Sequence, residues 1–480
     1  MTVRYIRVNP VADLFAPAVR AYGNVAVVGQ VQPAAPAPAA PTAAAASGAG
    51  LGVGNYRYAV TLVTAQGETE TGAEAAVATT TGNQTVNLTA IPTGAAGTGT
   101  VGRRIYRTAV NGPAGSGQLL AKIDDNTTTT FSDTVPDARL GDEPPVVRPN
   151  TPTAFTDPAE ARRRVPGPLG ESIALAFAQS PGPTLVYGVR TAGTAGTDWG
   201  TALGTVAALD VQLVVLANTA VDGTTAAPNG AIAQLAGHVT SVSSTGGDGQ
   251  ERMGVAMLAK GSTATSVVTG SLASERMVYL AHKSDQDAAA ALAGVIAGYE
   301  PHISMLLKPV NITSAPLTPA EIATINGTET FGSGPAGNGV NWLVDPVLIP
   351  GHGTYLGEGY TGDPGGKKYI DIVRTVDDVS FRLKAQLIKT IGTLRVSRTG
   401  LRTLEARMEA VLQPLVQSEV IEGFEITSPL KALLDKDPNT LTEAERARID
   451  DAQAQRVVEV LVSVDYAGAV HRLSITLKFV

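Results

Sequence analysis

The sequence predicts an α/β portion followed by an α+β portion, with mixed sheet and helices, a small β-sandwich inserted near the start, and extended arms at both ends. Three observations carry this reading. From Phe155 onward, apolar strand patterns alternate with helix patterns, as in a largely parallel sheet covered on both faces. Between residues 54 and 139, short strand patterns succeed one another at turn-bounded intervals, with Pro-rich stretches on either side. At the end of the chain, Leu473, Ile475, Leu477 and Phe479 alternate with Arg472, Ser474, Thr476 and Lys478 up to the last residue.

Composition narrows the function. The 480 residues suit about three domains. A net charge of −7 argues against a nucleic-acid binder, which carries a basic surface. Charged residues make up 16% of the chain, below the roughly 25% of soluble domains. So little charge suits a surface largely covered in an assembly. Without cysteine there is no disulfide frame, thiolate metal site or cysteine nucleophile. No apolar run approaches the roughly 18 residues of a membrane span, and residues 1–30 lack a signal-peptide pattern. We therefore expect no membrane insertion and synthesis in a cytoplasm.

Taken in order, residues 2–8 (TVRYIRV) read as a short strand and 24–30 (NVAVVGQ) as a buried one. The tract 33–41 (PAAPAPAAP) reads as an extended linker. Strands are expected at 56–63, 84–88, 103–108, 119–123 and 129–132, and a second Pro-rich link at 143–152 closes this unit. Next, Asp157-Pro158-Ala159-Glu160 carries the residues of a helix start. Helices are expected at 169–179, 231–241, 264–272 and 285–298, with strands at 184–190, 211–217, 252–258 and 277–281. Thr318 to Glu321 forms a second capping pattern. A strand at 369–374, helices at 377–391 and 401–418, and a helix capped by Thr442 and Glu445 lead to a terminal hairpin over 459–480 that turns at Ala467-Gly468. The domain boundaries that follow are 1–33, 34–149, 150–345 and 346–480.

Catalytic chemistry is hard to assemble. His238, His282, His302, His352 and His471 show no metal-ligand spacing and read as ordinary, partly exposed residues. The segment 362–368 (GDPGGKK) lacks the glycine spacing and the Ser/Thr of a phosphate loop, and reads as a mobile loop. Asp124-Asp125 reads as a turn, and Asp377-Asp378 as a helix N-terminus, where carboxylates favour the dipole. No catalytic residue, metal ligand or cofactor is expected. On residues alone, the terminal strand either closes its own domain or is given to a neighbouring subunit.

The block GNYRYAVTLVTAQGETE…GRRIYRT…LLAKIDDNTTTTFSDT resembles immunoglobulin-like or fibronectin-like modules inserted in phage surface proteins. Outside it, VAVVG at 25–29, LGESIALAFAQSPGPTLVYGVR at 169–190, DAAAALAGVIAGYEPHISMLLKPV at 287–310, LTPAEIATIN, GNGVNWL and YIDIVRTVDDVSFRLKAQL follow in that order. In this order they resemble the tail sheath protein of contractile phage tails and related contractile injection systems. The chain opens VRYIRV where that family usually has a Pro-Gly-Val-Tyr-like arm.

The resemblance implies a tail-sheath-like core in a structural, non-enzymatic subunit. Such subunits form a homo-oligomer of stacked six-membered rings around an inner tail tube, ending at a baseplate and a tail terminator, with no direct nucleic-acid contact. It places the chain in a virion tail or injection particle, assembled in the bacterial host cytoplasm. Arms that pair with neighbouring sheets would carry Tyr5, Ile6 and Val8 at one end, and Leu473, Ile475, Leu477 and Phe479 at the other. Contact with the inner tube would fall to bases after Asp378: Arg382 and Lys389, seven residues apart on one helix face, with Arg398 and Arg402. Two other readings are a phage surface adhesin or decoration protein, and an α/β hydrolase with an adhesive β-module. The second needs a nucleophile, a base and an orienting group.

Overall fold

A computed structural model describes residues 23–32, 35–65, 67–244, 250–327, 337–363, 365–390, 392–469 and 471. The strand expected at 2–8, with Tyr5, Ile6 and Val8, lies outside them, as do Leu473, Ile475, Leu477 and Phe479.

The chain enters at β1 (Val25–Gly29), whose five residues are all buried. It then leaves for a unit of eight strands: β2 (Thr42–Ala46), β3 (Gly54–Thr64), β4 (Gly67–Glu68), β5 (Ala75–Thr79), β6 (Thr85–Thr89), β7 (Thr100–Arg107), β8 (Gln118–Ile123) and β9 (Phe131–Asp133). Strands β2-β6-β9 form one sheet; β4-β3-β7-β8, with β5 on β3, form another. Tyr56, Tyr58 and Val60 of β3, Ile105 of β7, and Val86 and Leu88 of β6 share one apolar core. Alternation explains this, because every second residue of a strand faces the same side.

A buried ion pair fastens the two sheets. Arg107 of β7 and Asp133 of β9 lie 2.8 Å apart with both side chains fully buried. The Tyr58 hydroxyl donates to the same carboxylate at 2.7 Å, and Arg107 also donates to the Val135 carbonyl at 2.7 Å. Arg107 also pairs with Asp137 at 2.6 Å, so losing Asp133 leaves the guanidinium one carboxylate and removes its fully buried one. Asp133→Ala is therefore expected to lower the stability of this unit by about 1.5–3 kcal/mol, the worth of a charge-assisted hydrogen bond. Both tryptophans, Trp199 and Trp342, belong to the other core, so their fluorescence transition in urea should stay in place. Tyrosine near-UV dichroism should move to lower denaturant.

The chain returns through β10 (Thr153–Phe155), then α1 (Pro158–Arg164), α2 (Pro168–Phe177), β11 (Val186–Arg190), α3 (Gly196–Val206), β12 (Leu213–Val221), α4 (Ala231–Ser244), β13 (Met253–Leu258) and β14 (Met277–Ala281). After these come α5 (Ala288–Gly298), α6 (Pro319–Asn326), β15 (Val340–Val344) and β16 (Tyr355–Leu356). One eight-stranded sheet runs β10-β11-β1-β12-β13-β14-β15-β16. Its six central strands are parallel, and the two edge strands are antiparallel.

Side-chain alternation divides the core into two layers. Val25, Val27, Val215, Val255 and Leu280 face α1, α2 and α5. Ala26, Val28, Val214, Ala256 and Tyr279 face α3, α4 and α6. Residues 288–297 of α5 are all buried, as an all-apolar helix requires. Asp287 anchors this helix. Its carboxylate accepts from Ala290 N at 3.0 Å, and from Ser172 Oγ and Asn218 N at 2.6 Å each. Where α5 crosses α2, a Cβ on Gly294 would lie 2.4 Å from the Ala176 carbonyl oxygen, so only glycine allows this approach.

Several expectations need correction. Residues 264–272 form two short 3-10 turns rather than a helix; Gly270, at φ +59°, breaks the run. The link at 143–152 is docked onto the core. Val146 and Val147 are buried, Val147 N donates to the Arg164 carbonyl at 2.9 Å, and Arg190 pairs with Glu70 of the inserted unit at 2.6 Å. Within the loop at 362–368, Asp363 Oδ1 accepts from Gly365 N and Gly366 N at 3.0 and 3.1 Å. Its amides thus bind their own carboxylate. Finally, His282 is buried, with Nε2 3.0 Å from the Leu258 carbonyl oxygen.

Candidate assembly interface

The last part of the chain holds α7 (Ile370–Leu387), α8 (Arg398–Gln417), β17 (Ile421–Thr427), α9 (Pro429–Leu434), α10 (Glu443–Gln455) and β18 (Leu461–Tyr466). The strand expected at 369–374 is the first turn and a half of α7. A short run rich in β-branched residues fits either state. Here Ile370 and Val373, three apart, enter the main core, while Val379 and Leu383 enter a second one. That spacing is helical.

Starting at Ile370 moves Asp377 and Asp378 away from the helix N-terminus, where the sequence had suggested them. Asp377 pairs instead with Arg276 at the foot of β14, and Asp378 with Arg382. Lys384 reaches Glu251 at 2.7 Å, and Arg374 donates to the Tyr299 carbonyl at 2.8 Å. Through these contacts α7 joins the eight-stranded sheet to the C-terminal elements.

Against α7 and α8 lies a ribbon of two antiparallel strands. Phe424, Ile426, Val462 and Val464 point to α8, where Leu412 and Leu415 complete the second core. The ladder pairs Phe424 with Val464, and Ile426 with Val462. Strand β18 falls in the first arm of the hairpin expected over 459–480, but among the described residues its partner is β17. That strand escaped the sequence analysis because its register shifts between Ile421 and Gly423, which breaks the period of two. Among the described residues the sheet has only these two strands, so each presents one unpaired edge. A two-stranded ribbon is marginal alone, and an open edge is a template for another strand.

The four expected inner contacts lie on three elements: α7, the 3-10 turn after it, and α8. Arg382 lies on α7, and its Nε donates to Asp378 Oδ2 at 2.8 Å, one helical turn back. Lys389 falls beyond α7, in a 3-10 turn over Ile388–Thr390, so the two-turn spacing from Arg382 does not put them on one α-helical face. Its side chain is exposed. Arg398 and Arg402 occupy the start of α8 and both reach Asp435, at 3.0 and 3.2 Å. Arg398 Nε also donates to the Leu434 carbonyl at 2.9 Å. This closes the C-terminus of α9, where a cation meets the negative end of the dipole.

Among the described residues no group of acidic, histidine or cysteine side chains could hold a metal ion, and no helix is long and apolar enough to cross a membrane.

No protein-family model matches the chain, and no curated protein matches it. Solved structures do. The helical sheath of the anti-feeding prophage in its contracted state aligns at 13% identity with a TM-score of 0.51, over 69% of this chain and 90% of that one. The sheath of an extracellular contractile injection system, also contracted, aligns at 13% identity and a TM-score of 0.49, over 69% and 87%. The sheath tail protein from Listeria innocua aligns at 11% identity and a TM-score of 0.40, over 95% and 98%. The first alignment shows that the two chains share a fold.

Proposed function

We propose that the chain is the structural subunit of a contractile tail sheath. Copies stack as six-membered rings, polymerise helically around an inner tail tube, and contract to drive the tube through the target envelope. The observation that carries this reading is the β17–β18 ribbon: a sheet with one apolar face packed on α7 and α8 and, among the described residues, no third strand on either edge. Such a sheet is completed by strands from neighbours. Leu473, Ile475, Leu477 and Phe479 would pair with one neighbour, and the segment with Tyr5, Ile6 and Val8 with another. The fold shared with a prophage sheath supports this reading over an adhesin or a hydrolase.

Lys389 leads the candidates for the inner tube, because its side chain is exposed and no ion pair involves it among the described residues. Arg382, Arg398 and Arg402 would have to exchange the carboxylates they already hold. The inserted unit at 34–149, immunoglobulin-like in its sequence, would face outward, while a baseplate and a tail terminator would close the two ends. Such a subunit belongs in a virion tail or injection particle.

Negative-stain microscopy of the purified full chain tests the reading. Tubes or six-membered rings are expected. Compact monomers at every concentration would overturn it in favour of the adhesin.

A further inference from the structure

We propose that Tyr466 and His471 form a two-point clamp that fixes the root of the C-terminal arm to the α/β core. The inference rests on the sheath reading, in which the chain beyond this point pairs with a neighbour. At the first point, the Tyr466 hydroxyl donates to Asp371 in the first turn of α7, and Asp371 is 3% exposed. At the second, His471 sits between two core groups. Its Nε2 is 2.8 Å from Ser304 Oγ, and its Nδ1 is 3.2 Å from Glu358 Oε2. Its ring meets Tyr369 edge-on, with centroids 4.9 Å apart. The Glu358 side chain is 2% exposed and that of His471 13%.

Between the two points, the described residues Ala467, Gly468 and Ala469 carry no side chain larger than a methyl. The segment is thus pinned at its ends. Each end supplies a hydrogen-bonding group to a carboxylate that the core buries. Withdrawing such a group from a buried acid is costly, so the clamp is closed in the free subunit.

The clamp has two consequences for assembly. An arm with a fixed root has fewer conformations to lose when it pairs with a neighbour, which favours association. A pull on the arm also reaches the core through Ser304 and Glu358, and bypasses the β17–β18 ribbon.

Two variants of the full chain test this. One combines Tyr466→Phe with His471→Ala. The other, Ser304→Ala, loosens the second point from the core side and leaves the C-terminal segment unchanged. In the unassembled chain, hydrogen exchange at 467–469 should rise by about tenfold in the double variant, and by less in Ser304→Ala. The tryptophan unfolding transition should hold its position, showing that the core is intact. The concentration at which tubes first form should rise roughly tenfold for the double variant. Unchanged exchange in both variants would overturn the clamp. Faster exchange with an unchanged assembly threshold would overturn its part in assembly. If the wild-type chain forms no tubes, the sheath reading fails, and the exchange result still decides whether the clamp exists.

Discussion

A chain lacking residues 474–480 is expected to fold and yet form no tubes. The eight-stranded sheet ends at Leu356 and has helices on both faces, so its core needs nothing from the last residues. A fully buried Val, Leu or Ile contributes about 1.5–3 kcal/mol, and both layers of this core are rich in them. The ribbon is in a different position. With β17 and β18 alone, its apolar face is covered by α7 and α8 while its edges have no further strand among the described residues. If the terminal strand completes a neighbour's ribbon, the truncation cuts every such link at once. Thermal unfolding and particle imaging on one sample decide the matter. An unchanged main transition with no tubes is the expected result. Loss of the whole fold would mean that the strand closes its own subunit.

Arg252→Met is expected to destabilise the main sheet by about 1–3 kcal/mol. The guanidinium is fully buried and donates to the carbonyls of Val206, Leu209 and Gln250 at 2.9, 3.0 and 3.0 Å, where α3 ends. Met fills a similar volume but leaves those carbonyls without their buried donor. Trp199 on α3 reports the change in a urea titration. The variant also alters the response to acid. Burial, and then the Arg252 charge beside it, bring His238 down to about 4 from its ordinary 6.5. As pH falls below 6.5, the unfolded chain therefore takes up this proton before the folded one, and the wild type loses stability until pH 4 or so. With the arginine charge gone, the variant should lose less across that window. A stability change under ~1 kcal/mol would show that the carbonyls find other partners.

The sequence made the interior legible where one period ran undisturbed. The run 25–29 is apolar at every position and lies at the centre of the sheet. Thr318 and Glu321 cap α6 reciprocally, and Thr442 and Glu445 cap α10 in the same way. Legibility failed where a local feature hid the period. In α3, Trp199, Ala202, Leu203 and Val206 are buried at helical spacing, but glycines at 196, 200 and 204 lower helix propensity and mask the period. In β17, one bulge concealed the alternation. The ion-pair partners of the basic residues in the C-terminal portion were hidden for another reason. Charge along a chain says nothing of the partner folded against it, and Asp435 lies more than thirty residues from Arg398 and Arg402.

The inserted unit leaves after β1, a central strand, and returns at β10, an edge strand. During synthesis, β1 must therefore wait for β11 and β12, its partners on either side, while the eight-stranded insert can complete itself first. The delay is kinetic more than energetic. Lengthening the loop between Val25 and Val186 by the whole insert raises its closure cost by only about 1 kcal/mol, because that cost grows with the logarithm of length. This point of the chain can thus accept passenger modules of very different size at nearly constant stability, provided the returning link keeps the valines at 146 and 147 that seat it.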